Sequence, residues 1–267
     1  MPQITGTDGK LHYELRGTGP LVVLVGAPMD ATFFAPLAEL LAPEYTVLTT
    51  DPRGVNRSVL DDPEQDSAVE QRAGDLARLI EHAGAGPATV VGSSGGAVTA
   101  LQLAQTRPDL LAAVVAHEPP IIDVLDDRDE RHAGVDDMIA TYAAGDPQGA
   151  WMRFFTNANI PLPPFDGAGP PPEPEPVQAA TERFWFLHEM RPTTRWRPDV
   201  ETLRASPVRI VVAVGEDSAG QLCDRSVRAL AAALGAEPAV FPGGHIAFVD
   251  DPARFAPRLR EVVGRSW

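Results

Sequence analysis

Two runs, Leu21-Val22-Val23-Leu24-Val25 and Ile210-Val211-Val212-Ala213-Val214, are apolar at every position. A strand with one wet face alternates apolar and polar side chains, whereas a strand covered on both faces has no place for a polar one. The two runs therefore predict central strands of a parallel sheet sandwiched between layers of helix. Further extended segments at 11–15, 46–50, 88–91, 111–116 and 239–241 alternate with helical patterns at 32–41, 68–83, 96–105, 221–234 and 252–263. That alternation predicts an α/β fold with a mostly parallel central sheet and helices on both faces.

The alternation is interrupted once. Between the strands at 111–116 and 209–214 lie about ninety residues without a strand signal, too long for a structureless loop in a compact domain. They hold helical pieces at 135–144, 147–157 and 177–189 and a proline-rich stretch at 161–176. The expected organisation is a core of residues 1–120 and 207–267 with an inserted helical cap at 121–206, the proline-rich stretch serving as an ordered or semi-rigid connector.

Charge and composition narrow the function classes. With 37 acidic against 22 basic residues and a formal charge of -15, the chain repels phosphate backbones and anionic lipid surfaces, so nucleic acid and membrane are not expected partners. The N-terminal residues show no basic cluster followed by an apolar core, and no apolar run is long enough to span a bilayer, which reads as a cytoplasmic protein. The single cysteine, Cys223, has no histidine or lysine as a sequence neighbour and is expected to pack a helix. Without an H-E-x-x-H pattern, a cysteine cluster or a dense carboxylate loop, no metal and no cofactor is expected. The oligomeric state has no signal.

Chemistry concentrates at 88–104, where Thr89-Val90-Val91 runs into Gly92-Ser93-Ser94-Gly95-Gly96 and then into a helical pattern. Glycines two residues either side of a serine permit the sharp strand-to-helix turn that holds a hydroxyl clear of the sheet, and only Ser94 has glycine at both positions. The helix that follows directs its N-terminal amides at any oxyanion formed there. A serine is a weak nucleophile at neutral pH and needs a base held by a third group. Of the six histidines, His245 fits best, because Phe241-Pro242-Gly243-Gly244-His245 puts it on a glycine-rich loop after the last strand, at the sheet edge where ligands of open α/β folds bind. His117 is expected to pack at a strand end, and His12 and His82 to lie at the surface.

These residues, with Val23-Leu24-Val25-Gly26-Ala27-Pro28, Asp51-Pro52-Arg53-Gly54-Val55-Asn56-Arg57-Ser58 and His117-Glu118-Pro119-Pro120, occur in an order that resembles the α/β-hydrolase superfamily. The likeness extends over almost the whole chain and is to the capped branch of small-ester hydrolases, C–C bond hydrolases and cofactor-free haloperoxidases. It implies the α/β-hydrolase fold and an oxyanion hole made by the backbone N–H groups of Ala27 and Gly95. The chain departs from the family's pattern at Val25, where a histidine is usual, and at Ala27, where a bulkier residue is usual. It also implies a catalytic acid, in one of two places. The usual position after the seventh strand falls on Ser218 in Gly215-Glu216-Asp217-Ser218, with Asp217 one residue early, while some relatives use the loop after the sixth strand, where Glu118 lies. Glu118 ranks ahead of Asp217, and both remain open. Arg53 is either a structural turn residue or a contact for a substrate carboxylate.

The expected cap concentrates aromatic residues, of which Trp151, Phe155 and Trp185, with His188 beside them, are candidate substrate-binding residues for an apolar cavity. His188 and Glu189 could each meet a polar substrate group, though a surface helix position ranks ahead for both. The expected activity is hydrolysis of an ester, lactone or related acyl bond of a small-molecule substrate, with Ser94 attacking and His245 moving the proton. Two alternatives stand beside it: a lyase, cyclase or C–C hydrolase using His245 mainly as a base, and a ligand-binding protein without turnover.

Overall fold

The computed structural model describes residues 2–161 and 174–264, so positions 162–173 of the proline-rich connector lie outside the described residues. The strands are β1 (Gln3–Thr5), β2 (Gly9–Arg16), β3 (Leu21–Val25), β4 (Thr46–Thr50), β5 (Val59–Leu60), β6 (Ala88–Ser93), β7 (Leu111–His117), β8 (Arg209–Gly215) and β9 (Ala239–Phe241). They form one sheet in the order β1-β2-β4-β3-β6-β7-β8-β9, with β5 added to β2. Pairing is antiparallel among β1, β2, β4 and β5 and parallel from β4 through β9. The expected mostly parallel sheet is thus observed, extended at one edge by the short strands β1 and β5, which are too brief to leave a periodic signal.

The apolar runs behave as their composition requires. Leu21, Val23 and Val25 of β3 pack into one apolar cluster, while Val22 and Leu24 pack into another on the opposite face. The first face is covered by α2 (Val69–Ala83), α3 (Gly95–Thr106) and α9 (Leu222–Leu234), through Leu76, Leu101 and Leu230. The second is covered by α1 (Ala31–Leu41), α10 (Ala247–Asp250) and α11 (Pro252–Val263), through Phe34, Phe248 and Phe255. Each such side chain contributes about 1.5–3 kcal/mol by leaving water.

Between β7 and β8 the chain forms α4 (Arg128–Ala143), α5 (Pro147–Ala158), α6 (Pro176–Phe184), α7 (Met190–Thr194) and α8 (Val200–Ala205). Most of their apolar side chains join a separate cluster, with Met138, Ala150 and Phe186 at its centre and Leu222 of α9 as its contact with the sheet-covering helices. Trp196 and Leu203 instead join the cluster of the first sheet face, and the Trp196 indole donates to Gln102 Oε1 at 2.8 Å. Between α6 and α7, Trp185–Glu189 forms a single π-helical turn, a wider turn that adds a residue to the helix circumference. No described helix is long and apolar enough to cross a membrane.

Candidate active site

The strand order reverses at β3: its successor β4 lies on one side of it and β6 on the other. Chain ends that diverge there leave a crevice at the carboxyl edge of the sheet. Ala27 follows β3 and Ser94 follows β6, and Val25 pairs with Gly92 across the two strands. Ser94 has φ 55° and ψ −124°, a conformation an L-residue adopts only when its surroundings hold it there. The surroundings require glycine: a Cβ on Gly92 would run into the Gly96 carbonyl oxygen, and one on Gly96 into that of Val25. Ser94 N–H donates to the His117 carbonyl at 2.9 Å, fixing the turn to β7. Gly95 opens α3, where the first amides have no partner within the helix. A Cβ built on Gly95 would stand 2.9 Å from the Cβ of Ala27, so the two backbones close on each other beside Ser94.

His245 lies in the loop between β9 and α10, and its Nδ1 is 2.6 Å from Oε2 of Glu118. Glu118 is fully buried just beyond β7, at φ 51°. Its N–H donates to the Ala213 carbonyl at 2.9 Å, and its Oε1 accepts from Gly215 N–H at 2.8 Å. Burial alone would raise this carboxyl, but the hydrogen bond and charge of His245 prevail and hold it at about 2. Asp217 is on the exposed side of the same loop region, and its N–H donates to Gly243 O at 3.1 Å. The hydrogen-bond partner of His245 is therefore Glu118. Ser218, at the position the family pattern reserves for an acid, is buried.

Cys223 packs against the apolar cluster of the helical insertion, as expected of a helix residue, and it also meets the cavity. Although α9 packs on the sheet, Cys223 lies in its first turn and opens into the cavity that holds Ser94 and His245. One donor atom each of Glu118, Cys223 and His245 lies within 4.8 Å of the others. Burial pulls His245 down, but the Cys223 sulfur and then the Glu118 carboxylate outweigh it, lifting the imidazole to about 10. With Nδ1 committed to Glu118, the remaining ring nitrogen is the one that can serve Ser94 or Cys223. Among the described hydrogen bonds none joins Ser94 to His245; such bonds commonly tighten only when substrate binds. A soft divalent cation suits these donors in type, but to use Nδ1 it would first have to break the Glu118–His245 bond.

The cavity has a volume of about 80 Å³, and its walls include Ala27, Ser94, Gly95, His245, Trp185 and Glu189. Of the four candidate substrate-binding residues, the structure brings Trp185 to this wall. Trp151 stands behind it, ring centroids 5.1 Å apart, with its Nε1 donating to Glu182 at 2.8 Å. Phe155 faces a surface groove with Asp217, and its neighbour Phe154 takes the cavity position. His188 is buried beside Asp66, 3.2 Å from its Nδ1, and does not reach the cavity wall. Arg53 is buried with Nε donating to Asp75 at 2.7 Å and does not reach the cavity wall, which is the structural of its two readings. His12, expected at the surface, is buried. His117 packs edge-on against Phe241, Phe248 and Phe255, and burial holds it at about 4, so it stays neutral.

Of the cavity residues, Cys223 goes beyond its expected packing role, and Glu189 is buried on the wall and not at the surface. Cys223 follows Ser218 by five positions, and that proximity to the family's usual acid loop was a signal that it shares a sheet edge with His245.

Comparison with known proteins agrees with this architecture. The sequence pattern described as the alpha/beta hydrolase family matches residues 21–258. The chain is 27% identical over 277 aligned positions to the uncharacterized hydrolase YraK of Bacillus subtilis strain 168, covering 99% of this chain and 95% of that protein. It is similar to the crystal structure of an alpha/beta hydrolase from Sphaerobacter thermophilus, with a TM-score of 0.68 and 27% identity, over 98% of this chain and 100% of the other. A thermophilic esterase from Thermogutta terrifontis has the same fold, with a TM-score of 0.70 and 20% identity over 99% of each chain.

Proposed function

The chain belongs to the alpha/beta hydrolase family, and from that premise we propose that it is a serine hydrolase that cleaves an ester, lactone or related acyl bond of a small, largely apolar substrate through an acyl-enzyme. The observation that carries this reading is the 2.6 Å Glu118–His245 pair, whose imidazole lines the same cavity as Ser94 on its strained turn. A buried carboxylate on Nδ1 fixes the tautomer with the other ring nitrogen free to accept a proton, and it stabilises the imidazolium that results.

In this reading Ser94 Oγ attacks the substrate carbonyl carbon and its proton passes to the free ring nitrogen of His245. The developing oxyanion is met by the N–H groups of Gly95 and Ala27, amides already fixed in place and so requiring no reorganisation. The bond to the leaving oxygen breaks as His245 returns the proton to it. Water then attacks the acyl-Ser94, giving one proton to His245, which passes it back to Ser94 as the acid departs. For the first step the free ring nitrogen of His245 serves Ser94 and not the nearby Cys223 sulfur. Residues 1–120 and 207–267 act as the core and 121–206 as the cap that walls the cavity.

The test is a double-mutant cycle on a short-chain ester. Ser94→Ala and His245→Ala are each expected to lower kcat/KM by up to about 10⁶-fold, and the double variant to be little worse than either, because the two groups act as one unit. Losses that add would separate them and overturn the assignment.

A further inference from the structure

Glu189 ends the π-turn of the helical insertion, 1% exposed and on the wall of the Ser94 cavity, with neither carboxylate oxygen in a hydrogen bond. Its nearest charged neighbour is Arg72 of α2, Nη1 standing 3.5 Å from Oε1, close enough for attraction and too far for a good hydrogen bond. Arg72 is itself 4% exposed, and its Nη2 donates to Thr193 Oγ1 at 2.7 Å. Thr193 Oγ1 in turn donates to the Glu189 carbonyl at 2.8 Å, and the methyl of Thr193 lies 3.4 Å from where a Cβ on Gly95 would stand. The backbone of Glu189 is thus tied through Thr193 to Arg72, beside the turn that carries Ser94.

A buried carboxylate with two idle acceptors has given up its water without gaining a hydrogen bond in return, which disfavours the folded state. A purely structural partner for Arg72 would be expected to close the pair to a bidentate contact. We propose that Glu189 is the specificity-determining residue of the cavity, its carboxylate accepting a hydrogen bond from a neutral N–H or O–H group of the acyl substrate. This rests on the acyl-transfer reading of the same cavity and adds a substrate class to it.

The donor is neutral because the charges already balance. A guanidinium stays protonated in proteins, so Arg72 requires an anion nearby, and Glu189 meets that need as a carboxylate that can only accept. Burial pushes Glu189 up while the Arg72 charge opposes the push. A cationic substrate group would leave an excess positive charge in a buried place, and a substrate carboxylate would meet Glu189 as a like charge. An amide N–H or a hydroxyl satisfies the idle oxygens without changing the total. A site built to bond such a group also rejects the analogue without it, because its own polar atoms are then left unpaired.

The test uses two esters that differ by one group. Ethyl N-acetylglycinate carries an amide N–H where ethyl levulinate carries a methylene, at nearly the same shape. Turnover of both is followed by pH-stat in the natural protein and in Glu189→Leu, with Glu189→Leu/Arg72→Met as the second variant that removes the buried cation should the first fail to fold. The natural protein is expected to prefer the amide ester by about tenfold to a hundredfold in kcat/KM, and the variants to bring the ratio near one. A structural role alone would lower both esters together and leave the ratio unchanged, which would overturn the proposal, as would the absence of a preference in the natural protein. The same pair is titrated calorimetrically into Ser94→Ala, where no turnover is needed. A matching ratio of Kd that Glu189→Leu removes supports the subsite even if neither ester is hydrolysed, whereas equal Kd values, or no binding of either, overturn it.

Discussion

At the scale of single residues the site turns on which groups His245 meets. Glu118 touches Nδ1 at 2.6 Å while Asp217 lies exposed, so the two carboxylates separate cleanly under mutation. Glu118→Gln keeps the side chain's shape and removes its charge, and is expected to lower kcat by about 10³- to 10⁴-fold. Asp217→Asn is expected to stay within a few-fold, and steady-state kinetics with one ester decides the ranking. Cys223 gives a pH-dependent prediction. Its sulfur is one of the groups raising His245 to about 10, and the imidazole must be neutral to take a proton from Ser94. Activity therefore rises with pH as His245 loses its proton, and removing the sulfur should let that happen earlier. Cys223→Ala is expected to move the acidic limb of the kcat/KM profile to lower pH, and an unmoved limb would show that Cys223 does not bear on the base.

At the scale of elements, the turn between β6 and α3 depends on backbone proximity more than on side chains. The Gly96 position is closed by the Val25 carbonyl oxygen, and that of Gly92 by Gly96 itself. Gly96→Ala would have to push β3 and α3 apart, at a cost of about 1–3 kcal/mol as overpacking. Because Ala27 continues from β3, the same displacement spreads Ala27 from Gly95. The variant is expected to unfold at lower urea concentration and to lose kcat beyond what its remaining folded fraction explains; a fall in stability with kcat intact would uncouple the two backbones from the chemistry. The elbow was legible in the sequence for the same reason that it is fragile, since glycine at both positions records a collision avoided. The π-turn at Trp185–Glu189 left no such record. One extra residue in a helical circumference shifts which side chains face inward; here Trp185 and Glu189 reach the cavity while His188 is buried beside Asp66.

Across the whole molecule, what could be read in the sequence was what depends on local pattern. All-apolar runs marked strands with two covered faces, and the gap between the runs at 111–116 and 209–214 marked the helical insertion. The partner of His245 is not local: Glu118 comes 127 positions earlier in the chain, and reaches it because β7 and β8 pair in parallel and Ala213 fixes the Glu118 amide. The cavity position of Cys223 and the burial of Glu189 follow no local pattern either, and His12 on β2 pairs with Gln3 of β1, a strand too short to announce itself. The fold thus assembles the strained serine, the imidazole and the buried carboxylate from three distant segments, and in the proposed function Ser94 is the nucleophile they produce. A fluorophosphonate with a short alkyl chain, followed by peptide mapping in a mass spectrometer, tests it most directly. A single covalent adduct is expected on Ser94 in the natural protein, lost in Ser94→Ala and formed far more slowly in His245→Ala. An adduct on Cys223 in place of Ser94, or an unlabelled serine, would contradict it.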